Sequence, residues 1–336
     1  MKKRKLILGA TGFVGLNLAR RLAFLAGPDE ELVLADNLSR GLLDSAVGAL
    51  LAQRPQTRFV QVDLTQPSGF ASFEGAFDEV YLLASLVGVF RSETYPEKII
   101  GTNTRIILNT VEWMAASGSR RLFFSSSSEN YAGGLKYGIV PIPTPEGVPL
   151  VIDDITNPRF TYAITKIWGE AAAMFYGKRH GFTSIIGRYH NVYGPRMGYD
   201  HVIPELWLRI LGGEDPLRVR STEQTRTFCF ISDAVEATRL LMEAPIENGT
   251  IVHIGNGREE IKIGELARRL LKLAGREPHL EALPAPRGSV ERRAPAVDLL
   301  RRLTGFEAAV SLDQGLEETV AWYREHASDK PQRGSE

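Results

Sequence analysis

Leu6-Ile7-Leu8-Gly9-Ala10-Thr11-Gly12-Phe13-Val14-Gly15 decides how this chain is read. A short apolar run leads straight into glycines at every third position, and the amphipathic stretch Phe13–Ala26 follows. A buried strand, a tight glycine turn and a helix form the opening unit of a dinucleotide-binding fold. Glycine lets backbone N–H groups approach a pyrophosphate at the helix N-terminus, so Gly9, Thr11, Gly12, Phe13, Val14 and Gly15 are the candidate cradle. A second apolar run, Glu31–Ala35, ends in Asp36-Asn37. A carboxylate there accepts bonds from a ribose hydroxyl and repels a 2′-phosphate, which favours NAD over NADP; Arg40 nearby is a cation that tolerates such a phosphate.

Outward from this turn, Lys5–Leu8, Glu31–Ala35, Arg58–Val62, Glu79–Leu83 and Arg121–Ser125 read as buried strands. Helical patterns such as Phe13–Ala26 and Pro96–Ser117 lie between them. Strand–helix alternation predicts right-handed crossovers and a parallel sheet covered on both faces. Gly133–Arg159, with five prolines and no helical period, reads as a long loop. Phe160–His180 follows as a helix and Thr183–Arg188 as a strand. Ile203–Leu211, Ser232–Ala244, Ile263–Ala274 and Leu312–Glu325 read as later helices. The expected fold is α/β: a Rossmann-type doubly wound parallel sheet over residues 1–188, a smaller mixed α/β lobe over 189–326 interleaved with it, and a tail over 327–336.

The chain has 336 residues, enough for a large buried core. Lys+Arg and Asp+Glu are equal at 40 each, so nothing in the charge calls for nucleic acid or an anionic membrane as partner. No apolar stretch is long enough for a membrane span. The lone Cys229 excludes an internal disulfide and a thiolate metal site; no metal is expected, and the compartment reads as cytoplasm. Met1-Lys2-Lys3-Arg4-Lys5 reads as a solvated basic tail.

Tyr162-Ala163-Ile164-Thr165-Lys166 places a phenol and an ammonium four apart, on one face of a helix. An ammonium beside a phenol stabilises the phenolate and lowers its pKa. Tyr162 can then take the proton of a hydroxyl while hydride leaves the same carbon for NAD. Upstream, Phe123-Phe124-Ser125-Ser126-Ser127-Ser128-Glu129-Asn130-Tyr131 brings hydroxyls and a carboxylate to a strand end.

The glycine spacing opening with Gly-Ala-Thr-Gly, the Tyr162/Lys166 pair and Arg188-Tyr189-His190-Asn191-Val192-Tyr193-Gly194-Pro195-Arg196 resemble the extended short-chain dehydrogenases/reductases, in their NAD-dependent nucleotide-sugar epimerase/dehydratase branch. The resemblance runs to about Glu325. It implies that Asp63 and Leu64 contact adenine, that Leu83, Ala84, Ser85 and Asn103 line the cofactor together with Tyr162 and Lys166, and that Ser127 is the catalytic hydroxyl, with Ser126 and Ser128 its competitors. For a nucleotide-sugar substrate, most simply a UDP-sugar, it implies Ser127, Ser128, Asn191, Arg226, Arg287 and Arg293 as ligands. Arg292 and Arg293 resemble a pair before the last helices, near which decarboxylating members use an arginine, and Leu217 and Val219 would flank the base. His190 stands where an aromatic is usual and reads as packing or catalysis. A homodimer is implied, through Pro96–Ser117 and Phe160–His180.

Such enzymes oxidise C4 of the sugar transiently. Frequency in the family favours a 4-epimerase. Glu129 opens the alternatives, a UDP-glucuronate decarboxylase or a dehydratase, because a carboxylate near a 4-keto sugar can manage C5; it also reads as a backbone cap. A non-catalytic NAD sensor on the same fold and a reductase that releases its cofactor are the remaining readings.

Overall fold

The computed structural model describes residues 3–277, 279–286 and 288–329. In chain order the first half contributes β1 (Arg4–Leu8), α1 (Phe13–Leu25), β2 (Glu31–Asp36), α2 (Ser45–Gln53), β3 (Thr57–Gln61), β4 (Glu79–Leu82), α3 (Val89–Thr94), α4 (Pro96–Ser117), β5 (Arg121–Ser127), α5 (Ala132–Lys136), α6 (Phe160–His180) and β6 (Thr183–Tyr189). The second contributes β7 (Val192–Tyr193), α7 (Val202–Leu211), β8 (Leu217–Arg220), β9 (Thr225–Thr227), β10 (Cys229–Phe230), α8 (Ile231–Glu243), β11 (Thr250–Ile254), β12 (Glu260–Lys262), α9 (Ile263–Leu273), β13 (Leu280–Leu283), β14 (Arg292–Arg293), α10 (Asp298–Thr304) and α11 (Leu312–Glu325).

Seven strands form one sheet in the order β11-β6-β5-β4-β1-β2-β3. Every pairing in it is parallel, the doubly wound arrangement read from the sequence. The winding reverses between β1 and β4, and in such sheets ligands bind at the carboxyl ends of the strands beside that reversal. Strand residues alternate between two buried faces. Leu6, Leu8, Val80, Leu82 and Phe124 pack with Ile106, Ile107 and Val111 of α4 and Ala173 of α6. Ile7, Leu34, Tyr81, Phe123 and Ile185 pack with Leu16 and Leu22 of α1 and Val235 and Leu241 of α8. Fully burying one such side chain is worth roughly 1.5–3 kcal/mol, which is why these runs are apolar throughout rather than alternating.

The structure departs from the sequence reading in three places. Of the basic start, Lys3, Arg4 and Lys5 are ion-paired rather than solvated, and Met1 and Lys2 lie outside the described residues. Lys3 Nζ lies 2.7 Å from Glu79, Arg4 Nε 2.8 Å from Glu31, and Lys5 Nζ 3.1 Å from Glu30. The main sheet takes its seventh strand, β11, from beyond residue 188, so the two units share one sheet. The stretch expected as a loop begins within the one-turn helix α5 and is then stitched to the second half. Thr144 donates its N–H to Ala294 O at 2.8 Å, and Ala296 donates back to Thr144 O at 2.8 Å. Of the expected tail, Ala327–Asp329 form a single 3-10 turn, and the residues from 330 onward lie outside the described ones. Among the described residues no helix is long and apolar enough to cross a membrane.

Candidate active site

The glycine turn fits a dinucleotide. Gly9 has φ +89, and a Cβ there would sit 2.6 Å from Ala84 N. A Cβ on Gly15 would sit 2.0 Å from Gly9 O, so both positions admit only glycine, and at Gly15 this seats the start of α1 directly against the turn. Thr11 Oγ1 and Ser85 Oγ are buried beside this turn without a hydrogen-bond partner in the protein. Asp36 is buried and accepts from Thr11 N at 3.1 Å and Leu38 N at 2.9 Å, tying the loop after β2 to the glycine turn. Asn37 Oδ1 accepts from Ser39 N at 3.0 Å. Asp63 caps its own turn through Thr65, and Leu64 O is held by Asn109 Nδ2 at 2.9 Å. Leu83 and Ala84 both donate to Leu8 O, which carries the β4 end alongside the β1 end. Asn103 was expected at the cofactor. Its amide fixes the chain after β4, with Oδ1 accepting from Leu86 N at 2.7 Å and Nδ2 donating to Leu86 O and Thr165 Oγ1.

The end of β5 and the first turn of α6 assemble the candidate chemistry. Ser127 Oγ accepts from Glu129 N at 3.2 Å and hydrogen bonds with the Tyr162 phenol. Ser126 and Ser128 reach elsewhere: Ser126 Oγ donates to Glu170 at 2.5 Å, and Ser128 Oγ accepts from Arg293 at 3.4 Å. Lys166 is buried, its Nζ 5.5 Å from the Tyr162 ring centroid and donating to Ser125 O at 2.8 Å. Burial raises the Tyr162 phenol and the Glu129 charge adds to this, while the Ser127 bond works against it. The Lys166 ammonium is itself pushed down to about 7 by burial, with Glu170 opposing, and is turned toward the Ser125 carbonyl.

Glu129 is an ion-pair carboxylate. Arg293 Nη1 lies 2.6 Å from it, with the arginine side chain 5% exposed and the glutamate 33%. Burial works to raise this carboxyl, but the Arg293 charge and hydrogen bond, joined by Arg159 and Arg226, overcome it and hold the group at about 2. Arg226 was expected to face a diphosphate. It spends its guanidinium on Thr225 O, Val290 O and Gln224 Oε1, bracing the segment that leads to Arg293. Parallel pairing of β14 with β9 sets Arg293 opposite Arg226. Asn191, at φ 41, donates to Thr227 O at 2.8 Å. Arg287 lies outside the described residues. His190 is buried against Tyr131 and His253, and burial first, then His253 and two arginines, keep it neutral, which agrees with packing.

Two residues of the site were missed in the sequence. Arg159 stands three before Tyr162 and bears on Glu129; its guanidinium has no partner among the described residues. Glu170 stands one turn beyond Lys166. The signal for each was its helical spacing from the Tyr–Lys pair.

This arrangement defines a dinucleotide-dependent enzyme of the tyrosine–lysine type. The chain belongs to the NAD-dependent epimerase/dehydratase family, whose model matches residues 5–255. A UDP-N-acetyl-alpha-D-glucosaminuronate decarboxylase of Bacillus cytotoxicus is 31% identical, over 98% of this chain and 100% of its own. The dTDP-glucose 4,6-dehydratase DesIV of Streptomyces venezuelae, solved with NAD bound, is 25% identical with a TM-score of 0.85, covering 97% of this chain and 98% of its own. A UDP-glucose 4-epimerase of Thermotoga maritima, solved with UDP-glucose, is 26% identical with a TM-score of 0.82, covering 96% of this chain and 99% of its own.

Proposed function

We propose that this enzyme decarboxylates a UDP-hexuronate through a transient 4-keto sugar. The Glu129–Arg293 pair carries the reading. Arg293 pairs with the single carboxylate of Glu129, and the charges of Arg159 and Arg226 act on it as well. Three positive charges against one leave an excess that suits a sugar bearing its own carboxylate. A 4-epimerase has no such anion to hold. A dehydratase needs a base at C5, and a carboxylate held at about 2 is a weak one. The Bacillus cytotoxicus relative, a decarboxylase that matches this chain over nearly all of its length, supports the same choice.

The glycine turn, Asp36 and the β4 end would hold NAD, which when bound supplies a reversible hydride acceptor at C4. Tyr162 takes the O4 proton as the C4–H bond breaks, Ser127 orients that oxygen, and Lys166 offsets the negative charge on the phenolate. Arg159 and Arg293 orient the C6 carboxylate. With C4 a ketone, the C5–C6 bond breaks, carbon dioxide leaves, and the electron pair delocalises into the ketone as an enolate. One proton taken up at C5 completes that step, and Tyr162 returns its proton to O4 as C4 is reduced. In deuterium oxide, UDP-glucuronic acid or UDP-N-acetylglucosaminuronic acid should yield a UDP-pentose product with deuterium at C5, read by NMR. A C4-inverted, unlabelled hexose from UDP-glucose, with both acids untouched, would place epimerisation ahead.

A further inference from the structure

Beneath the Tyr162–Lys166 pair lies a buried polar cluster that the proposed chemistry does not use. Glu170 is its centre. Arg188 meets it with two bonds, Nε to Oε1 at 2.7 Å and Nη2 to Oε2 at 2.5 Å. Ser126 Oγ donates to the same carboxylate at 2.5 Å and Asn130 Nδ2 at 2.9 Å. Both charged side chains are almost wholly buried, at 2% exposure for Arg188 and 5% for Glu170. Tyr131 shares a bond with Arg188, and His253 Nε2 lies 2.6 Å from the Tyr131 hydroxyl. A buried carboxylate with this many donors cannot change rotamer without breaking several bonds at once, so its charge is fixed in position.

We propose that Glu170 is a positioning residue: an immobilised counterion that keeps Lys166 charged, one helical turn away on α6. Four residues of separation on a helix brings side chains within reach of one another, with about 5–6 Å between Cβ atoms. Lys166 has no carboxylate hydrogen-bonded to it; its Nζ donates to a neutral carbonyl, Ser125 O. An ammonium buried this way loses its charge unless an anion stands close, and Glu170 is the charge that acts on it against burial. The other groups around it do not take that part. On α6 itself stands the neutral Tyr162. From β6 comes Arg188, a cation. The turn after β5 brings Tyr131, and Glu129 there is committed to Arg293. The loop after β2 brings Arg40, a second cation acting on Tyr162, and α4 brings the neutral Asn103. The inference rests on Tyr162 and Lys166 carrying out C4 oxidation, and not on which step follows.

The test titrates Lys166 directly in the NAD-loaded protein, using ¹³C-lysine NMR with the signal assigned by its loss in Lys166→Met. Glu170→Gln should move the Lys166 midpoint down by roughly one pH unit or more, and Glu170→Asp should restore most of it. The alkaline limb of C4 oxidation, followed with UDP-glucuronic acid, should move with it. A folded Glu170→Gln protein whose Lys166 titrates as in the wild type overturns the inference. If Glu170→Gln does not fold because Arg188 is left unpaired, Glu170→Gln/Arg188→Gln is compared with Arg188→Gln, so that the loss of the Glu170 charge alone is read. An active Tyr162→Phe enzyme would instead overturn the assignment of the base and leave the Lys166 titration to stand alone.

Discussion

Ser126, Ser127 and Ser128 are neighbours of one chemistry, yet each reaches a different partner: Glu170, Tyr162 and Arg293. Strand pleating and the turn after β5 separate them, so Ser127 alone of the three acts on the Tyr162 phenol. Replacing Tyr162 with Phe should lower turnover by on the order of 10²–10⁴ while NAD stays bound, checked by steady-state assay and cofactor titration. Glu129 gives a pH signature. Its carboxyl ordinarily titrates at 4.5 and is held at about 2 in the fold. A depressed carboxylate stabilises the fold fully above the unfolded pKa and loses that contribution as pH falls toward the folded one. The stability gap between wild type and Glu129→Gln should therefore be constant from pH 7 to about 5 and shrink below it, as read by urea midpoints. A gap independent of pH would mean the pair is not ionic. Tyr162, Lys166, Ser127 and Glu129 were legible because they crowd into two short segments. The Arg293 partner was named in the sequence, but its pairing with Glu129 spans 164 positions and follows from the register of β14 on β9. The internal bonds of Arg226 and Asn103 were not legible, because a side chain's type does not reveal which backbone carbonyls compete for it.

At the scale of elements, α6 carries the chemistry and its seat on the sheet is set by Gly169. A Cβ there would lie 2.4 Å from Phe124 Cζ and 2.9 Å from Ile107 Cδ1. Alanine gains up to about 1 kcal/mol in helix propensity. Overpacking against a ring held in the core costs typically 1–3 kcal/mol, so Gly169→Ala should destabilise on balance. Because Tyr162, Lys166 and Glu170 share the helix, its turnover should fall by more than its stability loss accounts for. An unchanged urea midpoint and rate would contradict this placement of α6. The bounds of α4, α6 and α11 match those expected from their residues, with Pro96 opening α4 and Gly118 and Gly181 ending α4 and α6 at φ 73 and 84. The one-turn helix α5 was not legible, since Ala-Gly-Gly-Leu-Lys has neither a helical period nor a cap.

For the whole molecule, the parallel order of the sheet followed from strand–helix alternation and the right-handed crossover rule. Recruitment of β11 from the second half did not, because a five-residue strand such as Thr250–Ile254 carries no address. The outer faces of α4 and α6 leave Ile100, Trp168 and Phe175 exposed at 45%, 38% and 62%. Such apolar groups on adjacent helices mark an association surface, and we expect a homodimer there. Light scattering at micromolar concentration should give twice the chain mass, and Trp168→Asp/Phe175→Asp should give the monomer. A monomeric wild type would contradict it.

The same molecule should release carbon dioxide from its sugar. UDP-glucuronic acid and UDP-N-acetylglucosaminuronic acid carrying ¹³C at C6 separate the candidate reactions in one experiment. Decarboxylation with Arg159 and Arg293 holding the C6 carboxylate predicts one labelled carbon dioxide for each sugar consumed from at least one of the two acids, and none with Arg293→Met. Conversion of the sugar with the label still attached at C6 would contradict it.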